Sequence, residues 1–551
     1  MSVDNAQGTS RLIAPTFIFL TAFAAYLYCA YPALAPRDGA DLLKSALTLY
    51  PAHPPGYPLY ALSGHLFSLI FPFGNFAYRL NLLSALWGAG SGVLLYLWAR
   101  KRIDDVSAAF VSLAFIFSRS LWKFSLLSEM YSAQAFFLAL LLYLLEGHPQ
   151  SRPRRLLLSS LAVGIGVVNH QSLIFSLPAF AYLWFKNPPL KEGFSPILKW
   201  AGIFFLLGIC LYFYMPIELR SIPVAFQAVT RAQYGTFELF SGLSRPLSLH
   251  LLFLQSLYFA RQTWKSSSPL LALMSAFGFW FAWKNQSDKN SALALLIGLL
   301  ISGPGFLFLS RMDTSNWIAR SALEPVFIPA TFFLCALAVF GLSAISSKSL
   351  RALFAAFMVL WAFESHFPRL SHRNDFAAED YIEDLFRLLP PRSAVLARGD
   401  TAVFGLKYEE ALDPALSSRL IHSDVDLNPA LWLSRESKVR PSFVLGISLT
   451  ELTSLGIPDN AASLSSHALI QKISASPGLS GRERDFWALT ALRPGSQLEY
   501  TNSYAHDIRK SFALAHYQDS ILDAQKNPEL SDWNARWAAV LDPEDYHLVL
   551  K

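Results

Sequence analysis

Runs of roughly 15 to 25 apolar residues recur through the first two thirds of the chain, the length an α-helix needs to cross a hydrocarbon core. They fall near 12–34, 77–98, 106–124, 129–145, 156–169, 172–185, 197–217, 269–283, 291–309, 325–345 and 350–367. Inside a bilayer every backbone polar group must be satisfied within the segment, which leaves helices as the spanning element. The pattern predicts a polytopic α-helical membrane protein of about 11 transmembrane helices. Composition agrees: 53% of the 551 residues are hydrophobic and 15% charged, against about 25% charged in soluble domains. The stretch 59–73, with His65 and its prolines, is too short to span and reads as an interfacial or re-entrant helix.

The net charge of +6 does not point to nucleic acid, because the basic residues form short clusters between apolar runs rather than one stripe. Arg100-Lys101-Arg102, Arg152/Arg154/Arg155, Lys186/Lys191/Lys199, Lys284/Lys289 and Lys348/Arg351 occupy every second loop. The positive-inside rule puts these loops in the cytoplasm. The first loop and everything after Phe367 then face outward. The segment from Arg11 has the apolar core of a signal peptide but runs on to Leu34 and reads as an uncleaved first span. Cys29, Cys210 and Cys335 all fall inside predicted spans, in no disulfide or metal spacing.

Composition changes near residue 370. Strand-like runs (393–399, 441–449) there alternate with helical patterns (380–389, 529–541). The expected organisation is a membrane domain over 1–369 and a soluble, outward-facing α/β domain over 370–551.

The purposeful polar clusters share the outward side. Asp38 and Asp41 stand three apart, on one face if helical. Two readings fit: a helix cap before "LLKSAL", or a carboxylate pair splitting proton transfer and positioning. "HPPGYP" (53–58) is stiff, since prolines fix φ and restrict their neighbours. It is either a loop entering an interfacial helix or a rigid carrier for His53, with Tyr57 presenting a polar tip. Arg79 with Asn81, Glu129 with Tyr131, Asn169 with His170, Glu218 with Arg220, Arg231 and Tyr234 in "VTRAQYG", and Arg320 with Glu324 complete the outward set. Each fits a structural ion pair or polar contact. Together they fit a pocket for a lipid phosphate, which arginine grips with its planar fork.

"DGAD…HPPGYPLY", "NFAYRLNLLSALWGAGSGVLLY", "SEMYSAQAFFLALLL", "YMPIELRSIP", "VTRAQYG" and "SHRNDFAAEDYIEDLFRLLPPRSAVLARGD" occur in this order. In them the chain resembles a bacterial family of polytopic proteins long labelled a domain of unknown function. That family is related to the animal transmembrane O-mannosyltransferase acting on IPT domains of plexins and certain receptor kinases. The resemblance implies a GT-C glycosyltransferase fold. It further implies a polyprenyl-phosphate-linked sugar donor, a protein or glycan acceptor, and transfer on the outer face of a bacterial inner membrane. Carried over, Asp38 matches the family's first acidic position and Asp41 stands where glutamate is more usual. His53, Arg79, Asn81, Glu129, Arg231 and Tyr234 match motif positions. In the implied reaction Asp38 is the base, and Asp41 orients it, binds acceptor or holds a divalent cation. His53 and the outward arginines hold the leaving phosphate. Two departures stand out: "VAFQA" shortens the stretch before "VTRAQYG", and Glu324 is followed by Pro325 rather than arginine. The competing class is a lipid-linked glycan transporter or non-catalytic glycolipid-binding component. Transporters favour midplane charges and inverted repeats, and neither pattern is visible.

Overall fold

The computed structural model describes residues 2–148, 151–186, 194–232, 235, 244–416, 418–423, 428–448, 451, 464–473, 487, 490–494, 496, 505–524 and 527–546. The chain forms two compact units. The first comprises Met1–Ala30, Leu49–Gly74 and Tyr78–Arg373; the second comprises Tyr31–Thr48, Asn75–Ala77 and Asn374–Lys551.

The first unit is helical. Among the described residues, five helical stretches are long and apolar enough to cross a membrane: Phe76–Ala99, Pro196–Glu218, Lys289–Ser310, Ile318–Ser343 and Lys348–Leu370. Shorter apolar helices are Ile13–Cys29, Pro58–Ile70, Asp105–Ile116, Tyr131–Gly147 and Gln171–Phe185. The long stretches differ in what surrounds them. In its most apolar 18-residue window Ile318–Ser343 is 94% buried, whereas that of Pro196–Glu218 is 17% buried. A helix apolar on every side belongs in a bundle's centre; one with an exposed apolar face suits lipid. The Phe327–Ser343 helix lies so close to Pro269–Lys284 that a Cβ on Gly278 would strike the Leu337 carbonyl. Ser275 adds a hydrogen bond to the Leu334 carbonyl at 2.7 Å. Small residues bring helix backbones together in this way where no water drives association.

The run 106–124 is two helices, Asp105–Ile116 and Arg119–Phe124. The break falls at Phe117–Ser118, and the second helix carries two basic residues. Lys123 is buried and its ammonium lies 2.5 Å from the Glu324 carboxylate, with the Arg119 guanidinium at 3.7 Å from the other oxygen. Charges at this depth need a partner. The short stretch after Pro58 is a helix of 13 residues, Pro58–Ile70, with Leu66, Leu69 and Ile70 exposed.

The second unit contains a five-stranded sheet: β1 Ala394–Ala397, β2 Leu420–Ser423, β3 Ser442–Leu445, β4 Leu464–His467 and β5 Ile470–Ile473, in the order β2-β1-β3-β5-β4. The first three strands are parallel and the last two antiparallel. Central β1 and β3 are buried at every position, as continuous apolar strands in parallel sheets are. Leu396, Leu433, Val444 and Ile447 form a core against this sheet. The helices Ala377–Leu388, Asp400–Leu412, His506–Asp523 and Pro528–Leu541 belong to the same unit. So does Gly39–Thr48, which packs on Asp400–Leu412. The backbone N–H of Arg37 donates to Thr401 Oγ1 at 2.7 Å, and a Cβ on Gly405 would touch Leu34.

Candidate functional site

In the first unit three segments far apart in sequence converge. The first is the His53–Tyr57 turn, closed by the Gly56 N–H donating to the His53 carbonyl at 2.8 Å. Gly56 has φ 92°, and a Cβ there would lie 2.5 Å from Met215 Cε. Only glycine meets both demands. Met215 belongs to the Tyr214–Glu218 helix within "YMPIELRSIP", so this contact brings the second segment against the turn.

The third segment is the turn at 169–172. Tyr57 is itself left-handed, φ 45°, and caps the Pro58–Ile70 helix. Its ring stacks on His170, centroids 5.8 Å apart and planes 4° from parallel. His53 meets Tyr57 edge-on at 5.1 Å, and Tyr131 meets His170 edge-on at 5.0 Å. Gln171 closes the arrangement by donating to the Val229 carbonyl at 2.8 Å and the Tyr212 hydroxyl at 3.3 Å. Val229 ends the Ile222–Val229 helix, which is flanked by two left-handed arginines, Arg220 (φ 50°) and Arg231 (φ 55°). Positive φ at a non-glycine residue carries a backbone cost and clusters at functional sites. Arg220 is exposed and Arg231 partly buried.

The electrostatics of His170 follow from its neighbours. The Ser172 N–H donates to His170 Nδ1 at 3.3 Å, and the Ser172 hydroxyl lies 2.6 Å from the same nitrogen. Gln134 donates to that hydroxyl at 2.9 Å. Because the Ser172 N–H donates to Nδ1, that nitrogen is the acceptor, so the hydroxyl gives it its proton while accepting from Gln134, and the His170 proton sits on Nε2. Burial pushes the His170 pKa down to about 3, helped by the charges of Arg231 and His53. His170 is a neutral N–H donor at physiological pH, beside an arginine.

Behind this lies a buried polar network. Ser128 donates to Asn81 at 2.7 Å, Ser84 donates to the Glu129 carbonyl at 3.2 Å, and Tyr60 lies 3.2 Å from the Ser84 hydroxyl. Asn169 donates to the Met130 carbonyl at 3.0 Å. Asn81 and Glu129 thus lock the segment that delivers Tyr131 to His170.

Two other arginines are occupied. Arg79 donates to the carbonyls of Ser68, Pro72 and Gly74 at 3.0–3.3 Å, stapling the end of the Pro58–Ile70 helix. Arg320 donates to the Ser315 carbonyl at 2.8 Å. Among the described residues none of these bonds reaches the His53–Tyr57 or 169–172 turns. Tyr234 lies outside the described residues.

Asp38 and Asp41 belong to the second unit. The Asp38 carbonyl accepts the N–H groups of Asp41 (3.0 Å) and Leu42 (3.2 Å), which places Asp38 at the N-cap position of Gly39–Thr48. Asp41 is buried in the first turn, where a carboxylate suits the helix dipole. Burial lowers the Lys44 pKa, and Asp41 opposes the shift. Among the described residues no group of three or more His, Cys, Asp or Glu side chains is placed to hold a metal ion.

Sequence reasoning did not single out Gln134, Gln171 or Ser172. The available signal was a glutamine inside the apolar run "YSAQAFFLALLL", a polar group that buried surroundings oblige to find partners.

Residues 38–192 match the family described as the protein O-mannosyl-transferase TMEM260 N-terminal domain. The chain is 25% identical over 442 residues to the mouse protein O-mannosyl-transferase TMEM260, covering 73% of this chain and 61% of the relative. It is 24% identical over 273 residues to a Dictyostelium discoideum protein O-mannosyl-transferase tmem260, covering 44% and 33%. The chain thus spans less than two thirds of the length of these relatives. The fold is similar to that of ArnT from Cupriavidus metallidurans bound to undecaprenyl phosphate: TM-score 0.54 at 13% identity, covering 85% of this chain and 99% of that one. The GT-C fold expected from the resemblance is therefore present.

Proposed function

We propose that the chain is a membrane glycosyltransferase that moves a hexose, mannose being the first candidate, from a polyprenyl-phosphate carrier to a hydroxyl of a protein or glycan acceptor. The observation that carries this reading is the match of residues 38–192 to an O-mannosyl-transferase domain. That stretch contains Asp38, Asp41, the His53–Tyr57 turn and His170. The GT-C fold supports it, because the solved ArnT holds undecaprenyl phosphate.

In the proposed reaction the acceptor oxygen attacks the sugar's anomeric carbon. The new carbon–oxygen bond forms as the bond to the phosphate oxygen breaks, and the electron pair leaves on polyprenyl phosphate. The acceptor's proton passes to Asp38, which acts as general base. Asp41 orients Asp38, holds the acceptor, or holds a divalent cation. The Nε2–H of His170, with His53, Arg231 and Arg220, offers fixed donors and charge to the leaving phosphate, where developing charge rewards them most. Arg79 supports the turn through its helix rather than by touching phosphate. The setting proposed from the basic-loop pattern and the resemblance is an inner membrane with the site facing outward.

Mass spectrometry of outward-facing proteins and glycans, with and without the gene, tests the reading. The expected result is a hexose lost from a defined acceptor when the gene is absent. Purified protein that releases no sugar from a polyprenyl-phosphate donor, yet moves it across vesicles, overturns the reading in favour of transport. Chelation in the same assay reports whether a divalent ion takes part.

A further inference from the structure

A second polar feature of the first unit lies apart from the residues assigned above. A cavity of about 240 Å³ is lined by Leu145, Arg152, Arg155, Leu156 and Leu183. Three helix ends build it: the close of Tyr143–Gly147, the start of Arg152–Asn169, and Leu177–Lys186. Arg155 donates from Nη1 to the Leu145 carbonyl at 2.9 Å, which holds the guanidinium at the wall, while its Nε is buried without a hydrogen-bond partner. A buried N–H without an acceptor is costly.

The surrounding carboxylates do not supply one. Glu146 is bound by Arg102 at 2.7 Å, by Trp98 Nε1 at 3.0 Å and by the Ser291 hydroxyl. Asp105 pairs with Arg100 at 3.0 Å and Asp104 with Arg351 at 3.3 Å. Among the described residues, Lys101, Arg152 and Arg155 form no ion pair with a carboxylate. Their charges press on one another. The pKa values of Lys101 and Arg152 are both lowered, first by burial and then by the charge of Arg155. The positive end of the dipole of Arg152–Asn169, an 18-residue helix, points to the same place.

We propose that this cavity seats the phosphate of an anionic phospholipid, with Arg152 and Arg155 taking the charge and Leu145, Leu156 and Leu183 covering the glycerol and first acyl carbons. Two observations favour a lipid over a free phosphate. Three of the five lining side chains are leucines. The cavity is also bordered by basic residues at helix ends, in loops that the positive-inside rule assigns to one membrane face, and basic pockets between helices there bind headgroups. The proposal is independent of the glycosyltransferase reading, since it concerns the face that carries the basic loops.

The test is native mass spectrometry of the full chain in detergent, titrated with phosphatidylglycerol, phosphatidylcholine or inorganic phosphate. One phosphatidylglycerol should be retained per chain in preference to phosphatidylcholine. Arg152→Gln and Arg155→Gln should each weaken retention about tenfold to a hundredfold, the range for a hydrogen bond to a charged group. Equal retention of the two lipids by the unaltered chain overturns the proposal, whatever the variants do. So does undiminished retention by folded Arg152→Gln. Displacement of phosphatidylglycerol by an equal concentration of inorganic phosphate overturns the lipid assignment and leaves a free-phosphate site.

Discussion

Tyr57 and His170, more than a hundred residues apart in the chain, lie with their rings 5.8 Å apart and within 4° of parallel. The stack joins the stiff turn after the first loop to the turn that carries a neutral histidine. Tyr57→Ala removes it and should lower transfer about twofold to tenfold, the range for an aromatic pair beyond its buried area. Tyr57→Phe keeps the ring and should stay near the parent rate. Donor turnover by purified protein separates the two.

Gly56 should tolerate no side chain. At φ 92°, with Met215 Cε 2.5 Å from where a Cβ would sit, Gly56→Ala strains the backbone and displaces Met215. The expected outcome is faster amide exchange through Pro58–Ile70 and reduced turnover. Met215→Ala should restore part of both, because it removes the clash but not the left-handed strain.

Asp38→Asn removes the proposed base and should cut turnover by about 10²–10⁴-fold. Amide exchange of Gly39–Thr48 should be unchanged, since asparagine caps a helix as well as aspartate does. Near-parental turnover would end the assignment. Equal loss of turnover and protection would return Asp38 to a purely structural role.

The Lys123–Glu324 pair should be a stability element. Lys123→Met removes the nearer cation from Glu324 in a low-dielectric site, leaving the Arg119 guanidinium at 3.7 Å. Removing one partner of a buried pair costs about 3–5 kcal/mol. Lys123→Met with Glu324→Met should recover most of that loss. A double-mutant cycle on unfolding in detergent measures the coupling.

In the second unit Glu409 should make stability depend on pH. Burial, then the charges of Glu379, Glu383 and Asp413, push its pKa up to about 7 from 4.5. The folded state then binds more protons than the unfolded one between about pH 4.5 and 7, so stability falls as pH rises through that window. Glu409→Gln should therefore slow amide exchange of Asp400–Leu412 relative to the parent chain at pH 8. At pH 4.5 the two should match. Equal protection at both pH values would refute the assignment.

The sequence by itself determined where most helices of the first unit run, because apolar length and periodicity are local properties; the Leu249–Ser266 helix lies outside every predicted run. It also determined the stiffness of "HPPGYP", since proline and glycine act on their own backbone. The strands near 394 and 442 were legible for the same reason. Only the tertiary structure decided what those elements hold in common. Gln171 bonds to a carbonyl 58 residues away and Gln134 to a hydroxyl 38 residues away. No local pattern encodes such partners, which helix packing selects. The same packing holds Asn81 and Glu129 in the network behind Tyr131, and closes the end of Pro58–Ile70 with Arg79. It also pairs Lys123, in the second of the two helices of 106–124, with Glu324. Residue type declared which groups could take part in chemistry. Their protonation, orientation and company came from burial and from contacts made across the whole chain.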